Sequence, residues 1–317
     1  MAVQIAVIDD WQDVARGVVD WSPLETIGQV EFIHDYPADN ASLAARLGGF
    51  EVICVMRERT RFDADLLRRL PNLKLLVTGG MRNAALDLKA AAALVIQVCV
   101  TDSFKHAAPD LTWALIMAAT RNVVLEANAL RAGKWQQGLG GDLHGKTLAI
   151  LGLGSIGQRV ARFGQVFGMR VIAWSENLTA ERAAEAGVTL VSKQALCEQA
   201  DVLSVHLVLS ERSRGLVDAQ ALAWMKPTAL LVNTARGPIV DEAALIKALQ
   251  KQRLGGAALD VFEQEPLPED HPFRTLDNVL ATPHVGYVSQ QNYQLFFAQM
   301  IEDIQAWSAG QPIRLLS

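Results

Sequence analysis

Thr147-Leu-Ala-Ile-Leu-Gly152-Leu-Gly154-Ser155-Ile156-Gly157 is the stretch that decides the fold. An apolar run, read as a strand over Thr147–Leu151, leads into GxGxxG, and Ile156–Phe167 continues with a helical pattern. Each glycine has a physical use. The first makes the tight turn, the second lets a pyrophosphate approach the backbone, and the third lets helix and strand pack closely. The helix then points its N–H groups and positive dipole end at the anion. A plain glycine turn is the blander alternative. The strand–turn–helix context favours a dinucleotide site built on Gly152, Gly154, Ser155, Ile156 and Gly157.

The acid that binds the adenosine ribose belongs about 20 residues further on, at the end of the next strand. That strand reads Arg170–Trp174 and is followed by Ser175-Glu176-Asn177. Ser175 takes the usual acidic position, with Glu176 one place later. A small residue there would admit the 2′-phosphate of NADP, but no arginine follows to pair with it and Glu176 would repel it. The reading is NAD, with Ser175 and Glu176 as cofactor contacts and NADP left open.

Working outward, short apolar runs alternate with helical stretches on both sides of this motif. Strands are expected at Gln4–Ile8, Val30–His34, Glu51–Met56, Lys74–Thr78 and Ile96–Val100. A second set is expected at Arg170–Trp174, Thr189–Val191, Val202–Leu207, Ala229–Asn233, Ala257–Val261 and Val279–Ala281. Such alternation favours parallel sheets covered by helices. One long apolar helix is expected from about Pro109 to Ala132, stopped at Gly133, as a bridge between two domains. A final helix is expected over about Gln290 to Ala309.

Length and composition agree with two packed domains. The chain has 317 residues, half of them apolar and a fifth charged, and roughly 150 residues make a domain. The formal charge is 29 − 34 = −5, which argues against a nucleic-acid partner, since a phosphate backbone calls for a basic face. Cys54, Cys99 and Cys197 show no metal spacing and read as reduced, buried thiols. No secretory signal is evident, and the richest apolar run, Ala90–Ile96, is too short to span a bilayer. A cytoplasmic protein without a membrane partner is expected.

Polar residues that could carry chemistry cluster at the ends of expected strands, where ligands of open α/β sheets bind. They lie in Asn233-Thr234-Ala-Arg236-Gly237, Leu259-Asp260-Val-Phe-Glu263-Gln-Glu265-Pro266 and Thr282-Pro283-His284-Val-Gly286. Taken singly, Arg236 reads as a surface ion-pair partner, Glu265 as a solvated loop acid and His284 as a packed turn residue.

Together these segments resemble the D-isomer-specific 2-hydroxyacid dehydrogenases over nearly the whole chain. The resemblance also rests on Thr78-Gly79-Gly80-Met-Arg-Asn83 and on Met225-Lys-Pro-Thr-Ala-Leu-Leu-Val-Asn-Thr-Ala-Arg236. The separations, 265 − 236 = 29 and 284 − 265 = 19, look like those of the family's Arg, Glu and His. The resemblance implies an α/β chain of two doubly wound parallel-sheet domains. A flavodoxin-like substrate domain would span 1–100 and 290–317, and a Rossmann dinucleotide domain 101–289. The resemblance suggests a glyoxylate or hydroxypyruvate reductase of the short form. With 317 − 284 = 33 residues after His284, the regulatory domain of long-form phosphoglycerate dehydrogenases is expected to be missing, and a short-form phosphoglycerate enzyme stays open.

The implied activity is hydride transfer between a nicotinamide cofactor and a 2-oxo acid or D-2-hydroxy acid. Arg236 would anchor the substrate carboxylate and polarise its carbonyl with its planar fork. His284 would exchange a proton with the developing alkoxide. Glu265 would orient the imidazole and favour its protonated form. Asp260 and Thr234 would contact the cofactor, and Gly79 and Gly80 would offer backbone N–H groups to the carboxylate. Arg57, in Met56-Arg57-Glu58-Arg59-Thr60, would meet a substrate anion or else sit in a solvated loop. His206 reads as a packing residue near the cofactor, and no metal is needed. Relatives dimerise around the bridging region, so a homodimer is expected, with Trp135 as a candidate contact. The alternative of another class is a nucleotide-sensing regulator of the same fold. Glu265 argues against formate oxidation, since formate dehydrogenases of this superfamily carry glutamine there.

Overall fold

The computed structural model describes residues 2–34 and 39–316. It divides into two compact units, Met1–Phe104 with Val288–Ser317, and Lys105–Tyr287.

The first unit is built on five strands, β1 (Val3–Val7), β2 (Gly28–Phe32), β3 (Val52–Val55), β4 (Leu75–Thr78) and β5 (Gln97–Val100). Their order is β2-β1-β3-β4-β5 and every pair is parallel. Every residue of β3 and β4 is buried. That is why both read as unbroken apolar runs rather than alternating ones: helices cover both faces. The helix Gln290–Ser308 completes this unit. Ser289 caps it by accepting from the Asn292 amide, and Tyr293, Phe296, Phe297, Met300 and Ile304 bury its inner face. Phe297 packs against Trp21 at 5.6 Å between ring centres.

The second unit carries β6 (Thr147–Leu151), β7 (Arg170–Trp174), β8 (Thr189–Leu190), β9 (Val202–Val205), β10 (Leu230–Asn233), β11 (Gly256–Leu259) and β12 (Val279–Ala281). The order β12-β11-β10-β9-β6-β7-β8 is again all parallel. The strand order reverses between β6 and β9, and such a reversal opens the crevice where doubly wound sheets take ligands. Both units are therefore doubly wound parallel α/β sheets, as the sequence pattern predicts.

One expected element is corrected. The single long helix from Pro109 to Ala132 is two helices, Ala107–Thr120 and Val123–Arg131. Asn122 breaks it with a left-handed backbone, φ 53°. Asn is among the few residues other than glycine that are enriched in that conformation. Gly133, at φ 74°, ends the second helix. Among the described residues no helix is long and apolar enough to cross a membrane. The three cysteines are free and buried, and burial pushes the Cys99 thiol up to about 12 and Cys197 to about 11.

Candidate active site

The second unit gathers its candidate residues at the carboxyl ends of adjacent strands. Asn233 of β10, Leu259 of β11 and Ala281 of β12 lie in register. Neighbouring strands lie about 4.8 Å apart, so the segments that begin at Thr234, Asp260 and Thr282 leave the sheet side by side.

The glycine turn follows β6. Gly152 has φ 104°, and a Cβ there would lie 2.9 Å from the His206 carbonyl carbon. Its amide donates to Trp174 O at 2.9 Å, tying the turn to the end of β7. A Cβ on Gly157 would collide with Gly152 O, whereas one on Gly154 would meet nothing within 4 Å. The second glycine thus leaves open space at the start of helix Ser155–Val166, where the first-turn amides have no intrahelical acceptor. This open cradle fits a pyrophosphate. Beyond it, Ser175 is half-buried and Glu176 exposed. His206 bonds Ser204 Oγ through Nε2 at 2.8 Å, and burial lowers its imidazole to about 3, so it is neutral.

Arg236 stands at the turn after β10. Asn233 Nδ2 donates to its carbonyl at 3.0 Å, and Arg236 Nη1 donates to Ala235 O at 2.7 Å. Gly237 follows because a Cβ there would strike the Phe262 carbonyl. Glu265 reaches back from the loop after β11. Its Oε1 accepts from the Phe262 amide at 2.9 Å, and Oε2 lies 2.5 Å from His284 Nδ1. His284 itself adopts a left-handed backbone, φ 51°, and its ring meets Tyr287 edge-on at 5.7 Å. With Nδ1 held by a carboxylate, Nε2 is the nitrogen left to exchange a proton.

Asp260, expected as a cofactor contact, turns both oxygens to the neighbouring loop after β12. Oδ1 accepts from Thr282 Oγ1 at 2.6 Å and from the Val285 amide at 2.8 Å, and Oδ2 accepts from the Gly286 amide at 2.8 Å. Burial raises its carboxyl above the usual range and these bonds oppose that. The structure thus shows it gripping the segment that carries His284, a role that sequence reasoning missed. Thr234 is similarly engaged: its hydroxyl lies 2.7 Å from Thr112 Oγ1, which donates to Ala108 O.

In the first unit, two loops at the carboxyl ends of β3 and β4 meet. Asp9 is buried with φ 66°, and accepts from Thr60 Oγ1 at 2.6 Å and from the Met56 amide at 3.3 Å. Desolvation pushes its carboxyl up to about 6. Asn83 Nδ2 donates to Arg57 O and to Thr78 Oγ1. Arg57 extends over Gly80, where a Cβ would strike its Nη1. The Gly79 amide donates to Val55 O at 3.1 Å and the Gly80 amide to Thr101 Oγ1 at 2.7 Å. Both expected anion donors are therefore already bonded within the fold. The Met81 and Arg82 amides donate to no group among the described residues.

Two other features lie apart from these residues. A cavity of about 670 Å³ opens at the amino ends of the second unit's strands, beside Val202, Leu230, Gly256 and Val279, at the opposite end of the sheet from Arg236 and His284. Asp10, Asp13 and His34 have potential ligand atoms within 4.8 Å of one another. Within that cluster His34 Nε2 lies 3.1 Å from Asp13 Oδ1, and His34 Nδ1 lies 3.1 Å from the Asp10 carbonyl oxygen.

Residues 113–286 match the family model described as D-isomer specific 2-hydroxyacid dehydrogenase, NAD binding domain. A glyoxylate reductase of Aeropyrum pernix is 39% identical over 261 residues, covering 79% of this chain and 78% of that protein. A D-3-phosphoglycerate dehydrogenase of Methanocaldococcus jannaschii is 35% identical over 91% of this chain, which spans only 55% of that relative's length. The crystal structure of a phosphoglycerate oxidoreductase from Vibrio cholerae superposes with a TM-score of 0.93 at 38% identity, covering 97% of this chain and 99% of that one.

Proposed function

The chain belongs to the D-isomer specific 2-hydroxyacid dehydrogenase family, and from that premise we propose that it reduces a small 2-oxo acid to the D-2-hydroxy acid through Arg236, Glu265 and His284. It is an oxidoreductase and its cofactor is NAD. The observation that carries the mechanism is the 2.5 Å contact between Glu265 Oε2 and His284 Nδ1, on the loops one and two strands over from the Arg236 turn.

When bound, the nicotinamide supplies the hydride. Every other requirement falls to the chain. Gly154 and the amides of Ser155 and Ile156 hold the pyrophosphate at the helix N-terminus. Gly152 and Gly157 keep that turn tight, and Ser175 and Glu176 border the ribose. Arg236 holds the substrate's carboxylate and draws charge onto its carbonyl oxygen, where negative charge develops. His284 Nε2 donates the proton that turns the alkoxide into a hydroxyl, and takes it back in oxidation. Glu265 fixes the imidazole tautomer and compensates the imidazolium, as a carboxylate partner does for a catalytic histidine. Asp260 keeps His284 in place. The first unit acts as the substrate domain, with the Gly79–Gly80 turn and Arg57 receiving the substrate anion through the Met81 and Arg82 amides.

The proposed substrate is of glyoxylate or hydroxypyruvate size, a reading supported by the similarity to a glyoxylate reductase. The test is NADH oxidation with a panel of 2-oxo acids, for the parent, His284→Ala and Arg236→Ala. Turnover should appear in the parent and collapse in both variants. NADH binding with no turnover on any 2-oxo acid would instead favour a nucleotide-sensing regulator. We further propose a cytoplasmic homodimer. Exposed Leu130, Trp135 and Leu139, the last two 76% and 97% exposed, support a dimer face on the second unit. Trp135→Glu should shift the mass seen by light scattering from two chains to one.

A further inference from the structure

The loop after β3 carries adjacent residues of opposite charge. Arg57 Nε lies 3.5 Å from Glu58 Oε2, and both side chains are only 18% exposed. Water therefore screens this pair less than an ion pair at the open surface. Its position is held from three sides. Asp9 grips the loop at Met56 and Thr60, Asn83 holds the Arg57 carbonyl, and the guanidinium lies over Gly80. Arg57 also sits in a left-handed conformation, φ 56°. Glu58 is thus fixed beside the cation that the proposed function gives to a substrate anion.

We propose that Glu58 is a specificity residue: by neutralising Arg57 it selects 2-oxo acids whose only anion is the carboxylate and disfavours those with an added phosphate or sulfonate. This rests on the reading that the first unit's loops receive the substrate. A phosphate ester adds close to two negative charges at neutral pH. It needs an uncompensated cation to replace its lost hydration, and Arg57 already has a carboxylate against it. An incoming phosphate must displace Glu58 or face it in a partly desolvated corner. Repulsion of that kind is how sites reject a wrong partner. Arg82, on the neighbouring loop, is exposed to solvent, where a single charge is well screened.

The experiment is steady-state reduction of hydroxypyruvate and of its 3-phosphate by NADH, with the parent, Glu58→Gln and Glu58→Ser. The parent should favour the unphosphorylated compound in kcat/KM by about tenfold or more, and both variants should move the ratio toward the phosphate by about tenfold. Adding Arg57→Gln to Glu58→Gln should cancel that gain. A parent that prefers the phosphate, or variants that leave the ratio within about twofold, would overturn the proposal. Thermal melts identify a variant that fails to fold; the other variant then carries the comparison, and the parental ratio stands as a test by itself. An enzyme that reduces neither compound, nor any other 2-oxo acid of the panel, overturns the functional reading itself. That outcome is distinct from an active enzyme with an unmoved ratio.

Discussion

Replacing Asp260 by Asn should impair catalysis much more than cofactor binding. The carboxylate accepts three hydrogen bonds from the His284 segment, from Thr282 Oγ1, the Val285 amide and the Gly286 amide. An amide keeps one oxygen to accept the first two, but turns an NH2 toward the Gly286 N–H. One bond to a charged group is lost, worth about 1.5–3 kcal/mol. Removing a fully buried carboxylate offsets part of this, because its desolvation penalty disappears with it. The net loss of stability is then about 1–2 kcal/mol. The loop bears the rest, since His284 has φ 51° and a left-handed residue other than glycine costs roughly 1–2 kcal/mol. Weakening the anchor by about 2 kcal/mol lets the loop relax in roughly thirtyfold more molecules, and small displacements of a catalytic group are costly. Expected is a fall in kcat of about 10–100-fold, with the NADH dissociation constant within about threefold of the parent. Stopped-flow NADH binding beside steady-state kinetics reads both. If NADH affinity falls as far as kcat does, Asp260 is a cofactor ligand and the anchoring argument is wrong. Unchanged kcat would also refute it.

The glycine turn offers a paired test: Gly154→Ala should leave the melting temperature unchanged, since its Cβ meets nothing within 4 Å, yet weaken NADH binding by about tenfold or more. Gly157→Ala should instead destabilise the fold, because its Cβ strikes Gly152 O; a melt like the parent's would contradict this. His284→Ala should lower kcat by about 10²–10⁴-fold with NADH affinity kept, and near-parental kcat/KM would mean its role is misassigned. Asp303 is fully buried beside Arg314, and burial pushes its carboxyl up from 3.8 to about 7. The folded chain therefore holds a proton between about pH 4 and 7 that the unfolded chain has released, so this residue's contribution to stability falls as pH rises through that window, by a few kcal/mol at most. Urea unfolding across that range should show the loss in the parent but not in Asp303→Asn, and a flat difference between the two would refute the shift.

The strands were the most legible part of the chain, for a physical reason. A parallel sheet buried on both faces selects short apolar runs, and Val52–Val55, Leu75–Thr78 and Thr147–Leu151 are buried throughout. The glycine spacing was legible because backbone sterics demand it: Gly152 and Gly157 each lack room for a Cβ. Features set by one residue's backbone were not legible. Asn122 could have continued a helix, and only its left-handed φ of 53° divides the long apolar stretch in two. The site shows the same boundary. That Arg236, Asp260 and His284 stand at strand ends follows from counting strands. What each polar atom faces depends on how the loops fold back. Asp260 looked available to a ligand until the Thr282–Gly286 segment, more than twenty residues later, closed over both its oxygens. Gly79 and Gly80 looked like free donors until Val55 and Thr101 took their amides. The pairing of Glu265 with His284 is implied by the family resemblance alone, since nothing in a separation of nineteen residues dictates a 2.5 Å contact. Strand-end position is a local property that hydrophobic runs report. Hydrogen-bond partnership is a long-range one, because buried donors and acceptors must be satisfied wherever the chain can supply a partner.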